Sequence, residues 1–289
     1  MNLYVLALLM SVATIGVKYL ILTITSLLIR QSKPLKENDY LADCFFATVM
    51  FLISFCLLYF INSISSTNDI NSNFYLWLIT VVSGSIPITT SFVIMPIYHM
   101  INSKNRVIET ELLVKKKFGK NYRVFIINEN IMNAYATGVL PFTKIILVGK
   151  NIYESLSKDG IEAIVGHEVG HLKHNHLLKL YIVCIVWFSI AMLVYFVFLV
   201  PFKSHPYFIV IHSVFYGVFI GGGLVFIPGF FQKKFEKEAD AFSAAIVGKD
   251  NVKEMLTVLN RESKGKMEKW SFNYPTIAER IANVESISN

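Results

Sequence analysis

Five apolar runs divide this chain and settle its architecture before any single residue is weighed. Residues 3–29, 41–61, 74–101, 177–200 and 207–231 are each long and apolar enough to cross about 30 Å of hydrocarbon as a helix. They explain why 54% of the residues are hydrophobic and only 16% charged, outside the usual range of a soluble domain. The predicted fold is therefore an α-helical integral membrane protein with about five transmembrane helices and one small α+β domain. Segment 1–101 supplies three N-terminal helices, and 177–231 forms a transmembrane hairpin. Segments 102–176 and 232–289 are of soluble type and together suffice for one small domain.

Met1-Asn2-Leu3-Tyr4 carries no basic residue, and the run behind it is too long for a signal peptide. Lys18 lies within that run, where a lysine costs about 2.5–3.5 kcal/mol on insertion scales, so it is expected to face other helices or a wet cavity. Cys44, Cys56 and Cys184 all fall inside apolar runs and read as small buried hydrophobes rather than disulfides or ligands. The net charge of +7 does not indicate nucleic acid. Basic residues cluster in 30–40, 102–176 and 232–289 and are absent from 62–73, which is the positive-inside asymmetry of a membrane protein. It puts the N-terminus outside and both soluble segments in the cytoplasm. Lys115-Lys116-Lys117 and Lys233-Lys234 suit anionic headgroups and, equally, plain solvation.

Within the first soluble segment, 104–118 is amphipathic and ends at Gly119, a natural helix terminator. Tyr122–Ile127 and Lys144–Val148 read as strands, with Asn133-Ala134-Tyr135-Ala136-Thr137-Gly138 as a short extended piece between them. A small antiparallel sheet is expected. Past the last run, helices are expected over 233–248 and 250–262, with a final one starting at Pro275. Gly84, Pro87 and Pro96 interrupt the third run, and Gly221-Gly222-Gly223 and Pro228 the fifth. Close helix packing through small residues is the expected reason.

The chemistry lies at His167-Glu168-Val169-Gly170-His171. Residues four apart share one face of a helix, so His167 and His171 aim both imidazoles at one ion. Glu168 then stands beside the open coordination position, placed to deprotonate a metal-activated water. Asp159 and Glu162 have the spacing of a capping box for this helix. A zinc site of this kind needs a third protein ligand. Leu177 occupies one position where a third histidine would be sought, and the offsets of His174 and His176 from His171 suit supporting or boundary roles. Glu236 is the better candidate. It lies four residues before Asp240, which is placed to accept the other ring N–H of a ligating histidine. Glu238 projects from another face and reads as solvated. Two crossings separate His171 from Glu236, so the chain returns to the surface it left.

Asn133-Ala134-Tyr135-Ala136-Thr137-Gly138, the stretch Ile164–His171, and Lys234–Phe242 occur in an order and spacing that resemble the integral-membrane gluzincin peptidases, the HtpX-like stress proteases and CAAX prenyl endopeptidases. The resemblance covers roughly 105–289. It implies a zinc endopeptidase with one Zn²⁺ per chain, ligands His167, His171 and Glu236, general base Glu168 and supporting Asp240. It implies that Asn133, Ala134, Tyr135 and Ala136 form an edge strand that pairs with substrate. One departure stands out: Tyr274 occupies the place where the family commonly has a histidine before Pro275, with Arg280 following. Tyr274, Arg280 and Tyr135 are all candidates to stabilise the oxyanion.

The expected partners are a peptide or membrane-protein substrate and the lipid bilayer. The resemblance places the protein in a bacterial inner membrane, with its catalytic domain on the cytoplasmic side and a role in membrane-protein quality control. Processing of prenylated peptides is the alternative within the family. A membrane scaffold that keeps a relic zinc site is the alternative outside it.

Overall fold

A computed structural model describes residues 72–102, 105–127, 133–202 and 204–287. The first two expected spans, with Lys18, Cys44 and Cys56, lie outside the described residues. Three helical stretches among the described residues are long and apolar enough to cross a membrane by length and composition: Trp77–Ile101, His176–Phe202 and Val210–Val247. The chain divides into two compact units. In one, the described residues are 72–86 and Met192–Phe198; the other, Pro87–Ala191 with Leu199–Asn289, contains the sheet and the candidate site.

Helix α1 (Ser72–Thr89) passes through a π-turn at Thr90–Ile94 into α2 (Met95–Asn102). Pro87 sits inside α1 just before that turn, where its missing N–H and ring bulk loosen the regular ladder. Helix α3 (Ile108–Phe118) ends on Gly119 in the left-handed conformation. Strands β1 (Arg123–Ile127), β2 (Ala134–Thr137) and β3 (Ile145–Gly149) follow, then the short α4 (Lys150–Ser155) and α5 (Lys158–Lys173). The apolar α6 (His176–Val194) comes next, and α7 (Phe208–Val214) leads through a π-helical stretch, Phe215–Gly222, into α8 (Gly223–Val247). Helices α9 (Lys249–Glu262) and α10 (Ile277–Glu285) close the chain.

The sheet is mixed rather than antiparallel, in the order β1-β3-β2. β2 runs antiparallel to β3, but β1 pairs with β3 in parallel, Arg123 opposite Ile145 and Ile127 opposite Gly149. All five residues of β3 are buried, as befits the central strand, and β2 is left at the edge.

Helix α5 is the core element, buried along nearly its whole length from Gly160 to Leu172. Ile164, Val165, Val169 and Leu172 pack with Val114 and Phe118 of α3, Ile146 and Val148 of β3, and Val252, Leu256 and Val284 of α9 and α10. Its N-cap is Ser157, whose side chain accepts from Gly160 N–H at 3.0 Å, not Asp159. The helix begins two residues earlier than the Asp159/Glu162 spacing suggests, and Glu162 is paired with Lys117 instead. At the other end the Lys144 ammonium donates to the Leu172 carbonyl (3.0 Å) and to Asn175 Oδ1 (2.6 Å), complementing the negative helix terminus.

No break separates the last membrane run from the helix that bears Glu236. α8 continues unbroken through the change of composition at Gln232, because backbone hydrogen bonds do not respond to side-chain polarity. The final helix is capped by Thr276 in a reciprocal box with Glu279, so Pro275 lies just outside it. In the interrupted fifth run, a Cβ on Gly223 would fall 2.0 Å from Trp187 Nε1. Close approach of α8 and α6 is the role of that glycine.

Candidate metal centre

Two glycines let α5 and α8 approach closely enough to share a ligand set. A Cβ built on Gly166 would lie 2.7 Å from Ser243 Oγ, and one on Gly170 would lie 3.1 Å from the Ala239 Cα. Ser243 donates to the Ala163 carbonyl at 2.8 Å, tying the helices one turn further along. His167 and His171 stand beside this contact stripe, and Glu236 emerges from α8 opposite them.

The three side chains converge. Nε2 of His167 and Nε2 of His171 are 3.1 Å apart; Glu236 Oε2 lies 3.4 Å from the first and Glu236 Oε1 lies 3.5 Å from the second. Tetrahedral zinc with ligand bonds of about 2.0–2.2 Å has ligand–ligand edges of about 3.3–3.6 Å. Two imidazole nitrogens with one carboxylate oxygen facing each of them fit zinc in donor type and in approximate size, and a fourth vertex is left for water.

Behind the three side chains a buried network holds His167 and Glu236. His167 Nδ1 lies 2.8 Å from Asp240 Oδ1, leaving Nε2 for the ion. Asp240, wholly buried, takes both arms of the Arg280 guanidinium at 2.7 Å, and a third nitrogen of Arg280 lies 3.3 Å from Glu236. Arg280 therefore grips the carboxylates that frame the metal site. This differs from the expectation that it donates to an oxyanion, because its nitrogens already face acceptors. Burial works against a cation at His167, yet the Asp240 and then the Glu236 carboxylate outweigh it and push its pKa up to about 10.

Glu168 is 5% exposed. Burial, before any charge effect, raises its pKa above the ordinary carboxylate value. Its Oε2 accepts from Ala136 N–H at 2.5 Å. Gly149 N–H donates to the Asn133 carbonyl (3.0 Å), which phases the β2–β3 ladder so that the backbone of Ala134 and Ala136 turns away from β3. The outer edge of β2 thus runs past Glu168. Tyr135 makes an edge contact with His99 of α2, ring centroids 6.5 Å apart.

Tyr274 comes into the same field. Burial of its hydroxyl and the Glu236 and Glu168 carboxylates push its pKa up to about 12. The residue is still 47% exposed, so solvent screens part of that field and the phenol stays a neutral donor. Sequence reasoning missed the role of Glu238, which is only partly solvated: His176 Nε2 lies 2.9 Å from its Oε2. The only available signal was that α6 starts directly after α5, bringing His176 back toward α8.

Comparison with known proteins identifies the family and the fold. The sequence pattern described as Peptidase family M48 matches residues 103–288. Protease HtpX of Alkalilimnicola ehrlichii is 27% identical, across 52% of this chain and 59% of its own length. The chain thus spans less than two thirds of that relative. An HtpX homolog of Thermodesulfovibrio yellowstonii is 38% identical over 56 residues, 19% of this chain and 20% of its own. The crystal structure of S. mikatae Ste24p superposes with a TM-score of 0.64 at 19% identity, covering 86% of this chain and 67% of that one; this shows a common fold. The chain belongs to peptidase family M48.

Proposed function

We propose that this M48 family member is a zinc-dependent endopeptidase of a membrane, with one zinc held by His167, His171 and Glu236. The observation that carries the reading is the convergence of His167, His171 and the Glu236 carboxylate, with a carboxylate oxygen within 3.5 Å of each Nε2 and the buried Glu168 carboxylate beside them. Zinc bound there supplies a Lewis acid that acidifies a water and polarises a carbonyl. Glu168 takes the proton of the attacking water and hands it to the leaving amine. Its raised pKa suits a group that must both accept and release that proton. Asp240 and Arg280 fix the orientation of His167 and Glu236.

An extended substrate pairs with the outer edge of β2 from Asn133 to Ala136, where the Ala134 backbone and the Ala136 carbonyl turn outward for ladder hydrogen bonds. Tyr274 donates its hydroxyl to the developing oxyanion. It replaces the histidine common in the family with a donor that stays neutral. α8 carries Glu236 directly beyond an apolar run, so cleavage takes place near the bilayer surface. That position suits loops and unfolded forms of membrane proteins, hence quality control. The positive charge clusters in 102–176 and 232–289 support a cytoplasmic position for this face.

The test is metal analysis and cleavage of an unfolded membrane protein by purified native protein and Glu168→Gln. One zinc per chain in both, with cleavage lost by several orders of magnitude in the variant, is expected. A zinc-free native protein, or near-native turnover by the variant, overturns the reading. Faster cutting of a farnesylated peptide than of its unmodified form would move the substrate class to prenylated peptides.

A further inference from the structure

We infer that His176 and Glu238 form a positioning relay that fixes the tautomer and orientation of His171, joining the helix of the two histidines to the helix of the third ligand. This rests on the metal-site reading above and names two residues to which that reading gives no part.

The chain turn makes the relay possible. α5 stops at Lys173, Asn175 takes a left-handed conformation (φ 54), and α6 begins at His176. Five residues apart on one continuous helix, His171 and His176 would point in different directions. The reversal at Asn175 instead brings their Nδ1 atoms to 3.0 Å. His176 Nε2 lies 2.9 Å from Glu238 Oε2 on α8, two residues past the candidate ligand Glu236. His176 is 1% exposed and its ring stacks on Phe235, with centroids 4.2 Å apart and planes 5° apart. Phe235 directly precedes Glu236.

Hydrogen-bond logic leaves one arrangement of protons. For His171 Nε2 to offer its lone pair to an ion, the proton must sit on Nδ1. That N–H donates to His176 Nδ1, which must then be an acceptor, so His176 carries its own proton on Nε2. The second N–H donates to the Glu238 carboxylate. The run Glu238–His176–His171 therefore does for the second histidine what Asp240 does for His167, with one imidazole inserted. A buried imidazole with both nitrogens satisfied in this directional way is more than filler.

Three substitutions at His176 separate a hydrogen-bond role from a packing role. His176→Asn puts an amide oxygen near the place of Nδ1 and keeps the acceptor toward His171. His176→Gln keeps a donor toward Glu238 but loses that acceptor. His176→Phe keeps the ring stacked on Phe235 and loses both. The measurement is zinc affinity of the purified full chain in detergent, by competition with a chelator, alongside its melting curve. Native-like binding by His176→Asn, within about threefold, with a loss of about 10–100-fold in His176→Phe and His176→Gln, is expected. Near-native binding by His176→Phe with loss in His176→Asn assigns His176 to packing and overturns the relay. Equal affinities across the three, at any level, overturn it as well.

Glu238→Ala tests the far end from a half-exposed position, should the His176 variants fail to fold. It should weaken zinc several-fold, and unchanged affinity overturns the relay. Native protein that binds no zinc defeats the metal-site reading itself, and the relay with it; intact native binding with unresponsive variants defeats the relay alone.

Discussion

Gly170 and Ala239 are pressed together where the two halves of the metal centre meet, so that a Cβ on the glycine would lie 3.1 Å from the Ala239 Cα and 3.2 Å from Phe242 Cδ1. Backbone stands on the far side, and it cannot swing away as a flexible side chain would. Gly170→Val must therefore separate α5 from α8, at a cost of about 1–3 kcal/mol for overpacking. The larger effect is on Glu236, which reaches the histidines only at the present spacing. The variant should fold with a lowered melting temperature and bind zinc at least ten times more weakly. Native zinc affinity in this variant would show that the approach of the helices does not set the ligand triangle.

The Arg280 guanidinium lies against both Asp240 and Glu236, as the His167 ring does, and unlike that ring it stays charged when zinc is bound. Removing one member of a buried, hydrogen-bonded ion pair typically costs about 3–5 kcal/mol, because the partner stays behind uncompensated. Arg280→Met keeps the length and loses the charge. Zinc neutralises Glu236 when bound, so the variant should lose most stability in the metal-free protein and less when loaded. Thermal melting with and without a chelator reads this directly. A variant that melts like the native protein in both states but has lost turnover would return Arg280 to a direct role in the reaction.

What was legible in the sequence depends on whether the signal is local. The spacing of His167 and His171 is a property of one helix turn, and Glu236 with Asp240 is a property of another, so their shared faces could be read off. Which strand pairs with which is not local. The alternation in Tyr122–Ile127 marks a strand without saying that it lies parallel to β3 while β2 lies antiparallel. Ser157 was overlooked as the cap of α5 because Asp159 and Glu162 have the box spacing, and only the fold shows Glu162 paired with Lys117. Glu238 read as solvated because nothing before the structure placed His176 beside it. The charged stretch after Gln232 read as a new helix because composition shifts there, although α8 runs through it.

Tyr274 differs from the other site groups in being 47% exposed and in having a pKa pushed up to about 12 by burial and then by Glu236 and Glu168. Its proton therefore stays on throughout the neutral and mildly alkaline range. Tyr274→Phe removes the donor and little else. Loss of one oxyanion donor typically lowers kcat by about 100–1,000-fold, so kcat should fall by about 100-fold with KM and zinc content near native. Replacement of the phenol by the imidazole common in the family, Tyr274→His, should recover part of that rate and add a pH-dependent limb near neutrality. A Phe variant with native kcat would take Tyr274 out of the reaction.

Metal and proton compete for His167, and the direction of its shift fixes how. In the metal-free protein burial disfavours the cation, but Asp240 and then Glu236 carry the pKa to about 10, above the unfolded value of about 6.5. A raised pKa contributes stability that is fully present below about 6.5 and is lost as pH climbs through about 10. The metal-free protein should therefore become less stable between pH 7 and 10 as this imidazolium gives up its proton. Zinc binding requires the neutral ring, so over the same window it strengthens, by up to about tenfold per pH unit while one proton is displaced. The gap in melting temperature between zinc-loaded and chelator-treated protein should accordingly widen from pH 7 to pH 9. Calorimetric titration of zinc into the metal-free protein at pH 7.5, repeated in buffers of different ionisation enthalpy, should register about one proton released by His167. A gap that stays constant with pH, together with no buffer dependence, would mean that His167 is already neutral before the metal arrives and that its carboxylate neighbours do not hold it charged.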